Sequence, residues 1–377
     1  MSTYITILLI VWMLAIASLF SNAYKNKIYA IQSLIIIAFA SLKFETGFDW
    51  PVYQLHFYGY SPISFEPGYT LVAFIFYLLG ASFDIFLAFF VACLGVAIVY
   101  INSKICKKYR ALSLAIMLSL PDLFIIPLFA IIRQSASIIL LVIAFIYWKQ
   151  SKIAFISLLL ASLSFHFGSI FILLFAVAFG LILTHANIIA VIFFASGAIL
   201  YLTSTDVLSL SLNFIKTLPI GDFIIYFERD TFNASILFKG YYIFFSTIIF
   251  FIILSIRESA ADNKIISFKL MKGLALSGII VPIIFFSMPT FNSRYFFFTG
   301  IFIIYFCMKF LERQSAWFRF IVTLATVPIL VIPYYRFFNS PFAVPFIPYQ
   351  SIFIYNEENS TGLMRTEELL NLLHGLW

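Results

Sequence analysis

Uncharged apolar runs alternate with short polar segments along the whole chain, and within each run the apolar residues are continuous rather than alternating with period two. A membrane-spanning strand alternates lipid-facing and lumen-facing positions, so the pattern predicts helices in hydrocarbon and not a β-barrel. Spans are predicted near 4–20, 28–42, 84–101, 111–131, 134–148, 153–165, 169–183, 187–203, 240–256, 273–288, 295–311 and 317–334. The first has the length of a signal peptide but neither a basic leading segment nor a small-x-small cleavage site, and it is read as a span. Pro121 predicts a kink in the fourth. The fold class is therefore an all-α polytopic membrane protein with about 12 transmembrane helices.

Composition agrees: 63% of the 377 residues are hydrophobic, 49 are Phe, and mean hydropathy is +1.06. A soluble domain could not cover that apolar surface with 10% charged residues. The net charge of +7 reports topology, not nucleic-acid binding. Lys25, Lys27, Lys104, Lys107, Lys108, Arg110, Lys149, Lys152, Arg257, Lys264, Lys269, Lys272, Lys309, Arg313 and Arg319 fall in alternate loops, 15 of the 23 Lys and Arg. By the positive-inside rule these loops are cytoplasmic and both termini face outward. One segment, "GYTLVAFIFYLLG" at 68–80, is apolar but too short to span; counting it as a crossing would put "KICKKYR" outside. The expected organisation is an integral membrane domain over 1–334, with external loops at 43–83 and 204–239 and an external tail at 335–377. Within the first loop, 68–80 forms a juxtamembrane helix. The tail ends in an amphipathic helix, "TEELLNLLHGLW". Cys93, Cys106 and Cys307 show no metal-ligand spacing and predict no disulfide. Walker, dinucleotide and HExxH patterns are missing.

The first loop carries "FETGFDW" (44–50) and "FEPGY" (65–69). Arg133 in "AIIRQSAS" lies sixteen residues before Lys149, and His166 in "LSFHFGS" fourteen after Lys152. Both thus stand about 20–25 Å above the same basic turn. Arg294 in "FNSRYFFF" opens a helix that ends in basic residues, so it too is expected outside. Taken singly, each residue has an ordinary explanation: a snorkelling arginine, a packed histidine, a solvated loop acid. Together on one face, they predict a site. The guanidinium groups of Arg133 and Arg294 suit a pyrophosphate whose lipid tail stays in the bilayer. Acids flanked by Trp50, Tyr53, Tyr58 and Tyr69 suit sugars. Asp49, Glu45, Glu66 and His166 can serve as a base, Asp49 being the first choice and His166 shared with pyrophosphate binding. Glu45, four residues before Asp49, is expected on the same helical face, where like-charge repulsion would raise the Asp49 pKa. No metal or cofactor is called for.

In order, "TGFDWPVYQLHFYG…FEPGY", "IRQSAS", "SFHFGSIF" and "NSRYFFF" resemble the EpsG family, a Wzy-like group of O-antigen, capsule and exopolysaccharide polymerases. Trp50 stands where that family has Tyr, Lys43 where it has Arg, and Gly168 precedes the small residue Ser169. The resemblance implies a bundle similar to GT-C glycosyltransferases in the bacterial inner membrane, with its active site facing the periplasm. It implies a substrate, oligosaccharide repeat units on undecaprenyl pyrophosphate, and brings Gln134 of the Arg-Gln motif into the sugar-contacting set. Membrane lipid and a chain-length regulator are the other expected partners. An O-antigen ligase, a flippase and a membrane acyltransferase are the competing readings. The ligase would carry a larger late periplasmic domain, the flippase polar groups across the bilayer, and the acyltransferase its own active-site boxes.

Overall fold

The structure, a computed structural model, describes residues 1–21, 23–61, 64–185, 187–204, 236–258, 266–353 and 362–374. The described residues are helical, with no strand among them beyond one isolated antiparallel bridge between Lys43 and Ser351. Most of the expected 204–239 loop lies outside the described residues. Among the described residues, Ser2–Phe20, Phe83–Ile105, Pro289–Glu312 and Ala316–Phe338 are the four helices long and apolar enough to cross a bilayer, and several shorter apolar helices accompany them. This is a helical membrane protein.

The chain forms two compact units. The first comprises 1–144, 153–169 and 314–377. In it, α1 (Ser2–Phe20), α2 (Lys25–Ser41), α5 (Phe83–Ile105) and α6 (Arg110–Ser119) pack together. Buried polar side chains tie them, as expected where lipid supplies no hydrophobic force between helices. Gln32 donates to the carbonyls of Val11 (3.1 Å) and Ala111 (3.0 Å), and Trp12 donates to Ser119 (2.8 Å). The second unit, 145–152 and 170–313, contains α11 (Asn187–Thr203), α12 (Ile236–Ser255), α13 (Phe268–Ile284) and α14 (Pro289–Glu312). There Ser169–His185 (α10) meets α13 where Gly180 faces Gly273.

One expectation of continuity changes. The run at 111–131 is not one kinked span: α6 stops at Ser119, a 3-10 turn covers Pro121–Leu123, and α7 covers only Ile125–Phe129. Pro121 donates no N–H and drives Leu120 to an extended conformation (φ −107°, ψ 106°), which ends the helix rather than bending it. The described part of the tail, in turn, belongs to the first unit. After α15 (Ala316–Phe338), residues 341–352 run beside the first loop: Phe44 N–H donates to Gln350 (2.9 Å), Gly47 N–H to Pro345 (3.1 Å) and Ile352 N–H to Leu42 (2.9 Å). The tail helix α16 begins earlier than its amphipathic pattern suggests, at Gly362–His374.

Within the first loop, α3 (Trp50–Phe57) and α4 (Pro67–Leu78) form separate helices. The segment expected to lie along the membrane is helical, as α4; twelve residues make it about 18 Å long, well short of the hydrocarbon thickness.

Candidate functional site

The Glu-Pro-Gly sequence builds the centre of the site. Glu66 is the N-cap of α4, with an extended backbone (φ −61°, ψ 149°), and Pro67 occupies the first helical position, where a missing N–H costs nothing. Gly68 then lies directly on the end of α9 (Lys152–Phe165): a Cβ there would stand 2.5 Å from Ser164 Oγ and 2.8 Å from the Ser164 carbonyl oxygen. Only a residue without a side chain lets the two helices approach so closely. That approach brings Glu66 to the turn that follows α9.

Glu66 bridges two partners from distant segments. Its Oε2 accepts from Arg133 Nη1, and its Oε1 lies 2.7 Å from His166 Nδ1. Arg133 is on the first turn of α8 (Ile132–Tyr147), and its guanidinium lies 3.6 Å over the Phe65 ring and 5.7 Å from that of Tyr53. Burial alone would push the Glu66 carboxyl up, but the His166 hydrogen bond and the Arg133 charge outweigh it and hold it below the usual range. Glu66 is therefore an ionised strut and a weak base. Tyr53 connects this group to Asp49: its hydroxyl donates to Asp49 Oδ2 at 3.3 Å. Burial and the Asp49 charge push the Tyr53 hydroxyl well above its usual pKa, so it remains a donor.

Several buried polar atoms flanking these residues in sequence have no hydrogen-bond partner: Arg133 Nε, Gln134 Oε1, Ser169 Oγ, Tyr69 OH and Trp50 Nε1. Buried polar atoms are normally satisfied, and an unsatisfied set beside an Arg–Glu–His group suits a polar ligand.

The aromatic residues divide. Trp50, Tyr53 and Tyr69 are buried, Tyr53 packing on Phe65 and Tyr69, and Trp50 on Phe83. Their ring faces meet protein, whereas Tyr58 is 42% exposed. Arg294 stands in the second unit, on the second turn of α14 beside Tyr295, whose hydroxyl is also buried without a partner. The grouping described above is confined to the first unit.

Glu45 does not share a helical face with Asp49. Residues 44–49 are not helical, Glu45 has φ 44° and Gly47 φ 106°. The Gly47 conformation is one that side chains disfavour, and a Cβ there would overlap the Phe129 carbonyl oxygen at 2.0 Å. The turn sends the two acids to different tasks. Glu45 Oε2 accepts from the Gly362 N–H (2.6 Å) at the start of α16, and its carbonyl accepts from Arg365 (2.6 Å). Lys43 is buried, donates to the Leu128 carbonyl (2.5 Å) and lies 4.9 Å from the Phe129 ring. Burial pushes its amine well below the usual lysine range.

Sequence reasoning missed Phe65, the platform under Arg133, and Arg365. Phe65 could have been found, since it directly precedes Glu66. Arg365 gave no signal, because its partner Glu45 is 320 residues away. No curated protein and no solved structure matches the chain. The sequence profile of the EpsG family matches residues 26–351, a span that contains Asp49, Glu66, Arg133, His166 and Arg294. With that match covering most of its length, the chain belongs to the EpsG family, and is a membrane protein of polysaccharide biosynthesis.

Proposed function

We propose that the chain is a glycosyltransferase that polymerises oligosaccharide repeat units carried on undecaprenyl pyrophosphate at the periplasmic face of the inner membrane, through a GT-C-like bundle. The observation that carries this reading is the Glu66 bridge between Arg133 and His166 beside buried polar atoms that lack protein partners. A hydroxyl of one repeat unit attacks the anomeric carbon of the growing chain. The bond from that carbon to the pyrophosphate oxygen breaks, its electron pair leaves with the polyprenyl pyrophosphate, and the hydroxyl proton passes to a base. The leaving group needs charge neutralisation more than protonation, which is the task of Arg133, with His166 binding the pyrophosphate beside it. Glu66 holds Arg133 and His166 in place.

Asp49 is the base in this reading. Glu45 is committed to α16 and Glu66 to Arg133 and His166, whereas Asp49 is tied to the group through Tyr53. The His166–Glu66 contact supports a second assignment: with Nδ1 on the carboxylate, His166 Nε2 could take the proton. A polymer-ladder gel from a deletion strain carrying Asp49→Asn separates the two. A base contributes typically ~10²–10⁴-fold, so the variant should show single repeat units with normal protein levels. A wild-type ladder would remove Asp49 from the role and leave His166. The same gel separates the competing classes, because loss of a ligase or flippase leaves no repeat units attached at all. Arg133→Lys keeps the charge but loses the planar fork and the stacking on Phe65. A full ladder from that variant would return Arg133 to a membrane anchor.

A further inference from the structure

At the basic end of the first unit, far along the helices from Glu66, a cavity of about 200 Å³ is lined by Ser18, Lys25, Asn26, Lys107, Lys108, Arg110 and Ala111. It lies where α1 gives way to α2 and α5 gives way to α6. Its cations converge instead of scattering. Lys25 Nζ is 5.9 Å and Lys108 Nζ 5.5 Å from the ring of the buried Tyr109, with Arg319 at 5.8 Å from the same ring. Arg110 is fixed by stacking 4.5 Å from the Tyr29 ring and by donating to Asn26 Oδ1. Among the described residues no carboxylate pairs with any of Lys25, Lys107, Lys108, Arg110 and Arg319. The summed positive field of such a group attracts an anion.

Two further features agree in sign. Lys25–Asn26 and Arg110–Ala111 open α2 and α6, and neither helix has a side-chain cap or an acid in its first turn. Their partial positive ends add to the field of the side chains. Beside the cavity, Phe20 (69%), Tyr24 (58%) and Trp317 (70%) are exposed, Phe20 and Trp317 both packing on Phe320. Aromatic residues of this kind belong at the boundary of hydrocarbon and headgroups. The anion therefore comes attached to an apolar tail.

We propose that this cavity holds the phosphate of an anionic phospholipid headgroup, a site separate from the Glu66 group and independent of the polymerase reading. The volume suits a headgroup phosphate, being about six or seven water volumes, and the tails would lie along the exposed aromatic residues.

The test is native mass spectrometry of the purified full chain with phosphatidylglycerol and with phosphatidylcholine, whose phosphate is neutralised by its choline. Phosphatidylglycerol should be retained at least tenfold better. The exposed pair Lys107→Gln/Lys108→Gln should weaken that retention by about 25-fold, at roughly fivefold for each basic residue near an anionic headgroup. Lys107→Arg/Lys108→Arg should restore it, and Lys149→Gln/Lys152→Gln, in a basic loop outside the cavity, should leave it unchanged. Lys108→Gln alone, losing about fivefold, serves if the double variant does not accumulate. Equal retention of the two lipids, or an equal loss in the Lys149/Lys152 variant, would overturn the proposal. So would inorganic phosphate binding as tightly as phosphatidylglycerol, which would make this a site for a soluble anion.

Discussion

Gly68→Ala sets local propensity against packing. Alanine in place of glycine gains up to about 1 kcal/mol in a helix interior and less in a first turn. Against that gain stands a Cβ 2.8 Å from the Ser164 carbonyl oxygen and 2.9 Å from its carbon. Both are backbone atoms, so no side-chain rotation relieves them. Reaching ordinary contact at 3.4 Å requires α4 and α9 to part by about 0.6 Å, an overpacking that costs ~1–3 kcal/mol. The net loss of stability is therefore about 0–3 kcal/mol, a shift of a few degrees in thermal midpoint. The site suffers more. The Glu66–His166 contact starts at 2.7 Å, and a shift of about 0.6 Å stretches it to the long, weak end of the hydrogen-bond range. Displacements near 1 Å cost up to about 100-fold in rate, so the polymer ladder should shorten by at least tenfold in yield while the protein still accumulates. Ser164→Gly in the same chain should not rescue it, because the backbone contact remains. Gly240→Ala, where a Cβ meets nothing within 4 Å, is the control and should leave both readouts unchanged. A wild-type ladder with an unchanged midpoint from Gly68→Ala would mean that the two helices do not approach as described, and the account of the Glu-Pro-Gly box would fall.

The Glu66 carboxyl is held low in the folded protein, so its stabilisation is present above the unfolded carboxylate pKa and is lost as pH falls through the folded value. Glu66→Gln should lower the thermal midpoint at neutral pH by about 1.5–3 kcal/mol equivalent, the scale of hydrogen bonds to charged groups, and flatten its decline below about pH 4; parallel acid limbs in the two proteins would refute the bridge. Arg365→Met keeps the volume of a side chain that is 1% exposed but removes the donors to Pro348 (2.8 Å) and Glu45 (2.6 Å). The midpoint should fall by about 2–4 kcal/mol equivalent, and an unchanged midpoint would mean that α16 is not held on the first loop in solution.

Hydrophobic patterning found most of the helices to within a few residues, because a helix in lipid must be apolar for its length whatever it packs against. It failed at 111–131, where two prolines, Pro121 and Pro127, decide backbone geometry inside a run that stays apolar throughout. The candidate site was legible as a set of residue types, since charges at the edge of a membrane are few and costly. Their pairing was not. Glu66 was ranked below Asp49 as a base, and nothing in its spacing says that it joins Arg133, 67 residues on, to His166, 100 residues on. The i,i+4 spacing of Glu45 and Asp49 suggested a shared helical face, which the positive φ values of Glu45 and Gly47 exclude. A glycine between the two acids was the available sign of a turn.

That turn ties the site to the far end of the chain. The stretch 42–47 takes its shape from backbone bonds to Pro345, Gln350 and Ile352, and Glu45 caps a helix that begins at Gly362. Tyr4, completely buried, donates to the Phe346 carbonyl (2.9 Å), and Tyr334 donates to the Tyr4 carbonyl (3.1 Å). The first helix and the first loop therefore depend on segments made much later. Until the tail docks, Glu45 has no Gly362 to cap and Phe44 and Gly47 lack their carbonyl partners. The turn that sets Asp49 at the start of α3 is then unsupported. The Glu66 bridge needs only 65–68, 133 and 164–166, all within the first half of the chain. Pyrophosphate-facing and acceptor-facing halves of the proposed reaction are thus assembled separately: the first by α4, α8 and the turn after α9, the second by a strap that closes the first loop from much later in the sequence.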